Sequence, residues 1–264
     1  MEILKNLLKI GIVLYLLSLV ILYFIQERLI FHPNTIPKSQ AFKSAYNFEE
    51  VYINVADGID LNALHFKAEN SNGVVLFFHG NGGAIRNWAK GAYLYLENNF
   101  DVFYVDYRGY GKSDGKIINE AQFVEDGQRT YNYLKENYRE SEIIIQAISI
   151  GTGVAAQLAV NNNPKHLILM APYFSLKSLV MKMVKIVPPF ILKYKLESGA
   201  YLENAKLPIT IFHGVHDQLI PASHAQQLKS INAEIDLHIL QGVGHNTISS
   251  NQEYQKQMAF ILNK

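Results

Sequence analysis

Cysteine is absent from the 264 residues, which excludes disulfides, thiolate nucleophiles and zinc–thiolate sites. The redox compartment stays open, because a cysteine-free chain tolerates either one. An excess of one charge is also missing. The chain has 24 Lys and Arg against 23 Asp and Glu, a net charge of +1. With no basic run to track a phosphate backbone, nucleic acid is not an expected partner. There is no internal repeat and no low-complexity tract. The length suits one large α/β domain with a sizeable core, and two full domains would be crowded.

The N-terminal segment "MEILKNLLKIGIVLYLLSLVILYFIQERLIFHP" differs in kind from the rest. From Ile10 to Ile25 it carries no charge and almost no polar group. With Leu7 and Leu8 it approaches the roughly 20 residues a helix needs to cross a bilayer. A soluble helix would show a polar face, and a cleavable signal would end in a small-x-small site, which "FIQERLIFHP" does not offer. Residues 1–28 are therefore expected to form an uncleaved anchor. Lys5, Lys9 and the terminal amine precede the apolar run, while Arg28, Lys38 and Lys43 follow it. That slight bias places the N-terminus in the cytoplasm and the folded domain on the non-cytoplasmic side.

Beyond the anchor, residues 29–264 alternate strand-like and helix-like stretches. "VYINVADGIDLNALHFKA" reads as a hairpin turning at Asp57-Gly58. "GVVLFFHG", "FDVFYVDY", "EIIIQAIS", "HLILMAP", "PITIFHG" and "IDLHILQG" are nearly continuous apolar runs, as strands buried on both faces should be. The repeated β-α pattern predicts a mostly parallel sheet with helices on both sides. One segment, about 173–206, is too long for a simple crossover. With its Pro188-Pro189 break it is expected to be a short cap of two or three helical pieces over the strand ends.

Ligands gather at the carboxyl ends of such strands. Ser149, Asp217 and His245 lie there in that chain order, which is the order of nucleophile, acid and base in a hydrolase triad. A serine hydroxyl needs an imidazole to take its proton, and the imidazole needs a carboxylate to fix its tautomer. Each residue also has a plainer role available. Ser149 and Asp217 could cap helices, and His213, His216 and Asp217 could suggest a metal cluster, although no second cluster completes a ligand set. His245, between glycines in "QGVGHNTI", is hard to read as a core residue. The glycine-rich turn "FFHGNGGAIRNW" suits an oxyanion hole, with the amides of Asn81 and Ile150 as expected donors. Gly80 and Gly82 are nearby alternatives, and Asp106 and Arg108 read as structural. The elbow itself is irregular: Ala147-Ile148-Ser149-Ile150-Gly151 has alanine where the Gly-x-Ser-x-Gly pattern has its first glycine. One methyl group is read as tolerated crowding.

Taken in order, "LFFHGNGG", "VFYVDYRGYGKSDG", "SIGTGVA", "FHGVHDQLIP" and "GVGHN", behind an anchor ending "ERLIFHP", resemble the membrane-anchored ABHD-type α/β-hydrolases over nearly the whole chain. The resemblance implies hydrolysis of an acyl ester or thioester through an acyl-enzyme, a lipid-like substrate in several members, and no cofactor. Two alternatives accompany it: an amidase or peptidase using the same triad, and a catalytically silent fold that binds a lipid or protein. Removing residues 1–28 is expected to spare hydrolysis of short soluble esters, since no triad or oxyanion residue lies there.

Overall fold

The computed structural model describes all residues from Met1 to Lys264. Eight strands form one sheet: β1 Phe48–Ala56, β2 Ile59–Phe66, β3 Val74–Phe78, β4 Asp101–Val105, β5 Ile143–Ile148, β6 His166–Met170, β7 Ile209–Gly214 and β8 Asp236–Leu240. Their order is β8-β7-β6-β5-β3-β4-β2-β1. β1 and β2 form an antiparallel hairpin, β2 runs antiparallel to β4, and every other pairing is parallel. The chain is thus wound outward from β3 in both directions. All the strand runs expected from sequence are strands.

Packing explains why those runs are continuously apolar. Val74, Leu76 and Phe78 of β3 join one core cluster with Phe123, Tyr131, Val154 and Leu228. Val75 and Phe77 join a second with Ile85, Tyr95, Tyr254 and Met258. Side chains alternate across a strand, so both faces need apolar residues when helices cover both. The first face carries α2 Glu120–Lys135, α3 Gly151–Asn161 and, further along, α6 Ser223–Ile231; the second carries short turns between residues 85 and 96 and α7 Gln252–Leu262. Between β6 and β7 lie α4 Leu176–Met183, a 3-10 turn Pro189–Ile191 and α5 Ser198–Leu202. Ser175 caps α4 by accepting the amide of Ser178 at 2.9 Å, and the Pro188-Pro189 pair interrupts helix before the turn.

The helix α1 Glu2–Ile30 is 29 residues, about 43 Å long. It runs two residues past the expected anchor limit and has a mean hydropathy of 2.5 over its most apolar stretch. Most of its surface is exposed; only Leu19 and Gln26 are buried.

Candidate active site

Ser149 sits between the end of β5 and the start of α3 with φ at +54°, the left-handed region that a side-chain-bearing residue seldom adopts. A sharp strand-to-helix turn of this kind lifts the hydroxyl out of the sheet end. Two residues on, the need for glycine is steric. A Cβ at Gly151 would lie 2.8 Å from the Phe78 carbonyl, 3.0 Å from that of His79 and 2.7 Å from the Tyr107 hydroxyl. Ala147, by contrast, lies wholly buried in β5 between Phe78 and Leu169. The two ends of the elbow are therefore not equivalent here: a Cβ is accommodated at position 147, whereas one at position 151 would meet neighbouring backbone.

His245 brings the other two expected residues to Ser149. Its Nε2 lies 3.0 Å from Ser149 Oγ, and its Nδ1 lies 2.7 Å from Asp217 Oδ2. Asp217 is itself held from below: the amides of Leu219 and Ile220 donate to its Oδ1 at 2.9 and 2.8 Å, and His213 Nε2 stands 3.3 Å from Oδ2. Burial opposes ionisation of this carboxyl. The hydrogen bonds from His213, His245 and the Ile220 amide outweigh it and hold Asp217 well below the usual carboxylate range. An acceptor with a fixed negative charge is what an Nδ1–H tautomer requires. His213 also reaches the Ile220 carbonyl at 2.7 Å. Its place is as a buried brace of the Asp217 turn, a role that sequence reasoning missed when it weighed it as a metal ligand.

Neither amide expected for the oxyanion, Asn81 or Ile150, donates to any acceptor in the protein. Both residues and Ser149 line one cavity of about 370 Å³. The loop carrying Asn81 is held from several sides. Its side-chain oxygen accepts from the His32 amide at 3.1 Å and the Tyr110 hydroxyl at 2.9 Å, its Nδ2 donates to the Ile30 carbonyl, and Tyr107 donates to the His79 carbonyl at 2.7 Å. His32 and Pro33 pair with Gly82 and Gly83 as a two-residue parallel ladder. The chain leaving α1 thus braces this loop, which the sequence did not disclose. Arg108, read as structural, makes a bidentate pair with Asp126 of α2 at 2.7 Å. Asp106 accepts the Ile85 amide at 2.9 Å.

The cavity is apolar: 14 of its 17 lining residues are hydrophobic, and its polar members are Gln26, Asn81 and Ser149. Much of the wall comes from the cap, through residues such as Leu179, Val180 and Val187, and one side comes from α1 through Leu22, Gln26, Leu29 and Ile30. No triad or expected oxyanion residue lies within residues 1–28, yet Leu22 and Gln26 of that segment line the cavity. The segment supplies part of the pocket.

Sheet order, cap and strand-end site define an α/β-hydrolase. A family model described as "Serine aminopeptidase, S33" matches residues 69–200, and the chain belongs to that family of α/β-hydrolases. The matched span includes Asn81, Ser149 and Ile150. Among curated relatives, protein bem46 of Schizosaccharomyces pombe is 25% identical, with 94% of this chain and 89% of that protein aligned. The alpha/beta hydrolase domain-containing protein WAV2 of Arabidopsis thaliana is 24% identical over 83% of this chain and 78% of its own length. Among solved structures, the Pyrococcus furiosus esterase Pf2001 superposes with a TM-score of 0.69 at 20% identity, covering 88% of this chain and 98% of that one. A thioesterase domain from the curacin biosynthetic pathway gives a TM-score of 0.63 at 15% identity over 82% and 99%. These two likenesses establish the fold.

Proposed function

We propose that the chain is a membrane-anchored serine hydrolase that cleaves an acyl ester or thioester. The observation that carries this reading is the hydrogen-bonded series Ser149–His245–Asp217 at the floor of an apolar cavity flanked by two free amides. In this mechanism His245 Nε2 takes the Ser149 proton as Oγ attacks the carbonyl. Asp217 holds the tautomer and stabilises the imidazolium. The oxyanion forms against the amides of Asn81 and Ile150, which need no reorganisation to receive it. His245 then protonates the departing alcohol or thiol and leaves an acyl-enzyme. A water, deprotonated by the same imidazole, attacks the acyl carbon, the acid departs, and His245 returns the proton to Ser149 Oγ.

An aminopeptidase is the reading that the family description suggests. It would have to recognise a substrate ammonium, and no Asp or Glu lines the cavity. An apolar wall favours an acyl chain instead. Residues 1–28 serve as the anchor, residues 29–264 as the hydrolase domain with its cap at about 173–206, and the positive charges before the apolar run favour a domain on the non-cytoplasmic side. The test is reaction of the purified full chain with a fluorophosphonate, followed by a panel of esters, thioesters and amides. Labelling at Ser149 with turnover of acyl esters supports the reading. An unlabelled, well-folded protein would leave a lipid- or protein-binding fold, and amide turnover alone would make it an amidase.

A further inference from the structure

The pocket and the anchor share residues, and their geometry bears on how a substrate arrives. Tyr15, Leu19, Leu22, Gln26 and Ile30 recur every three or four positions and so form one stripe along α1. Leu19 and Gln26 are buried in that stripe, and Leu22, Gln26 and Ile30 line the cavity. Polar contacts fix the stripe to the cap along its length. Gln26 donates to the Ile191 carbonyl at 2.8 Å and accepts the Lys193 amide at 3.0 Å. Glu27 pairs with Lys193 at 3.1 Å, and Tyr15 donates to the Ile186 carbonyl at 2.7 Å.

The last of these contacts sets the depth of the cap. No charge interrupts α1 between Lys9 and Glu27, a run about 25 Å long and close to the thickness of a hydrocarbon core. Tyr15 lies about 18 Å along the axis from Glu27. If that run spans a bilayer, the Ile186 carbonyl bonded to Tyr15 lies within the hydrocarbon as well. The cap surface there has the character such a position requires: Met183, Val184, Ile186 and Phe190 are all exposed, Phe190 at 81%. Lys182 and Lys185 interrupt this apolar surface and are exposed as well. Met183 and Val184 both line the cavity and face outward, so the cavity opens on this same surface.

We propose that α1 is a wall of the acyl-binding site, and that the tail of a membrane-borne acyl lipid enters from the leaflet through the seam between α1 and the cap marked by Tyr15 and Ile186. This rests on the hydrolase and anchor readings above and adds the route and the specificity residues. The tail lies along Leu22 towards Ser149, and the scissile carbonyl reaches the serine at the end of the pocket nearer Glu27 and Arg28. The helix stripe thereby measures the tail.

The test uses the full chain in phosphatidylcholine vesicles. Leu22→Trp narrows the wall, and Leu17→Trp adds the same bulk on the exposed side of α1. The ratio of palmitoyl to acetyl p-nitrophenyl ester turnover should fall about tenfold or more in Leu22→Trp and stay at the wild-type value in Leu17→Trp. Binding of a dansyl-labelled fatty acid should weaken in parallel. Leu22→Ala, which widens the same wall, should shift the ratio the other way and serves where the tryptophan disturbs folding. Equal ratios and equal binding across all four proteins would overturn the wall. For the route, Ile186→Trp should gain fluorescence that phosphatidylcholine brominated on its acyl chains quenches, beyond the signal of the single native tryptophan, Trp88. An unquenched increment would overturn entry from the leaflet. A wild-type chain that neither reacts with fluorophosphonate nor cleaves any ester would sink the catalytic reading alone, since fatty-acid binding and quenching still decide the wall and the route.

Discussion

Gly151→Ala is the substitution that most directly tests how the elbow is built. The added methyl would stand 2.8 and 3.0 Å from the carbonyl oxygens of Phe78 and His79 and 2.7 Å from the Tyr107 hydroxyl, where ordinary contact begins at 3.4 Å. Two of the three obstacles are backbone at the end of β3, so rotation of a side chain cannot relieve them. Either α3 moves outward by roughly half an ångström, taking Ser149 with it, or the His79–Asn81 loop moves and takes an oxyanion donor. Overpacking of this kind costs about 1–3 kcal/mol of stability, which in a domain of this size lowers the unfolding midpoint by about 2–4 °C per kcal/mol. The rate should suffer more than the fold: a misplacement of about 1 Å at a reacting centre costs about 10²-fold, so half that displacement should cost about tenfold. The control is Ala147→Gly, which removes a methyl from the other end of the elbow and should leave kcat/KM within about tenfold. Both are measured on the full chain by ester hydrolysis, fluorophosphonate labelling rate and thermal unfolding. A Gly151→Ala protein with wild-type kcat/KM would refute the steric account, and an Ala147→Gly protein as impaired as Gly151→Ala would show that the alanine positions the serine.

Other substitutions probe the remaining parts. Ser149→Ala should lower acyl-ester turnover by several orders of magnitude with the fold intact, as read by kinetics alongside circular dichroism. Asp217→Asn should lower kcat by about 10⁴-fold, since an amide cannot hold the required imidazole tautomer. The same variant carries a pH signature. The folded-state pKa of Asp217 is depressed, so its ionised form contributes stability that is complete above its unfolded value of about 3.9 and is lost as pH falls through the native value. The gap in urea midpoint between wild type and Asp217→Asn should be flat from about pH 5 upward and close only in acid; a gap that closes near neutrality would contradict this. Asn81→Ala keeps the amide donor but cuts the ties to Ile30, His32 and Tyr110, and should cost about 10–10²-fold in kcat with a smaller change in KM. Gln26→Ala should free the cap backbone near Ile191 and speed proteolytic cleavage within residues 184–197.

The sheet was legible because its strands are buried on both faces. Val74 to Phe78 is apolar at every position, since successive side chains feed two different cores, and no amphipathic surface strand has that pattern. The candidate site was legible for a related reason. In a parallel sheet, polar residues just past an apolar run must emerge at the same edge, so Ser149, Asp217 and His245 could be collected without knowing the strand order. Strand order was not needed to bring them together, but it decides the distances. The contacts that support them from behind were hidden. The bracing role of His213 was hidden because sequence gives residue types and not directions, and its partner, the Ile220 carbonyl, leaves no trace in the side-chain alphabet.

The part of the site formed by α1 was unreadable for a different reason. Periodicity reveals a packed face only when the opposite face is polar, and a helix that is apolar all round carries no such contrast. Leu22, which lines the cavity, and Leu17, which faces outward, are the same residue type in the same stretch of sequence. The signal that was present is Gln26. A lone amide next to a hydrophobic run needs partners when it is buried, and its position four residues from Leu22 and from Ile30 marks the face on which those partners must lie. Glu27 beside it adds a carboxylate, and Lys193 and the Tyr194 hydroxyl of the cap meet it. Both residues direct the helix towards the cap. In the reading proposed above, α1 both tethers the domain and closes the pocket, and these two residues keep its wall in register with Ser149.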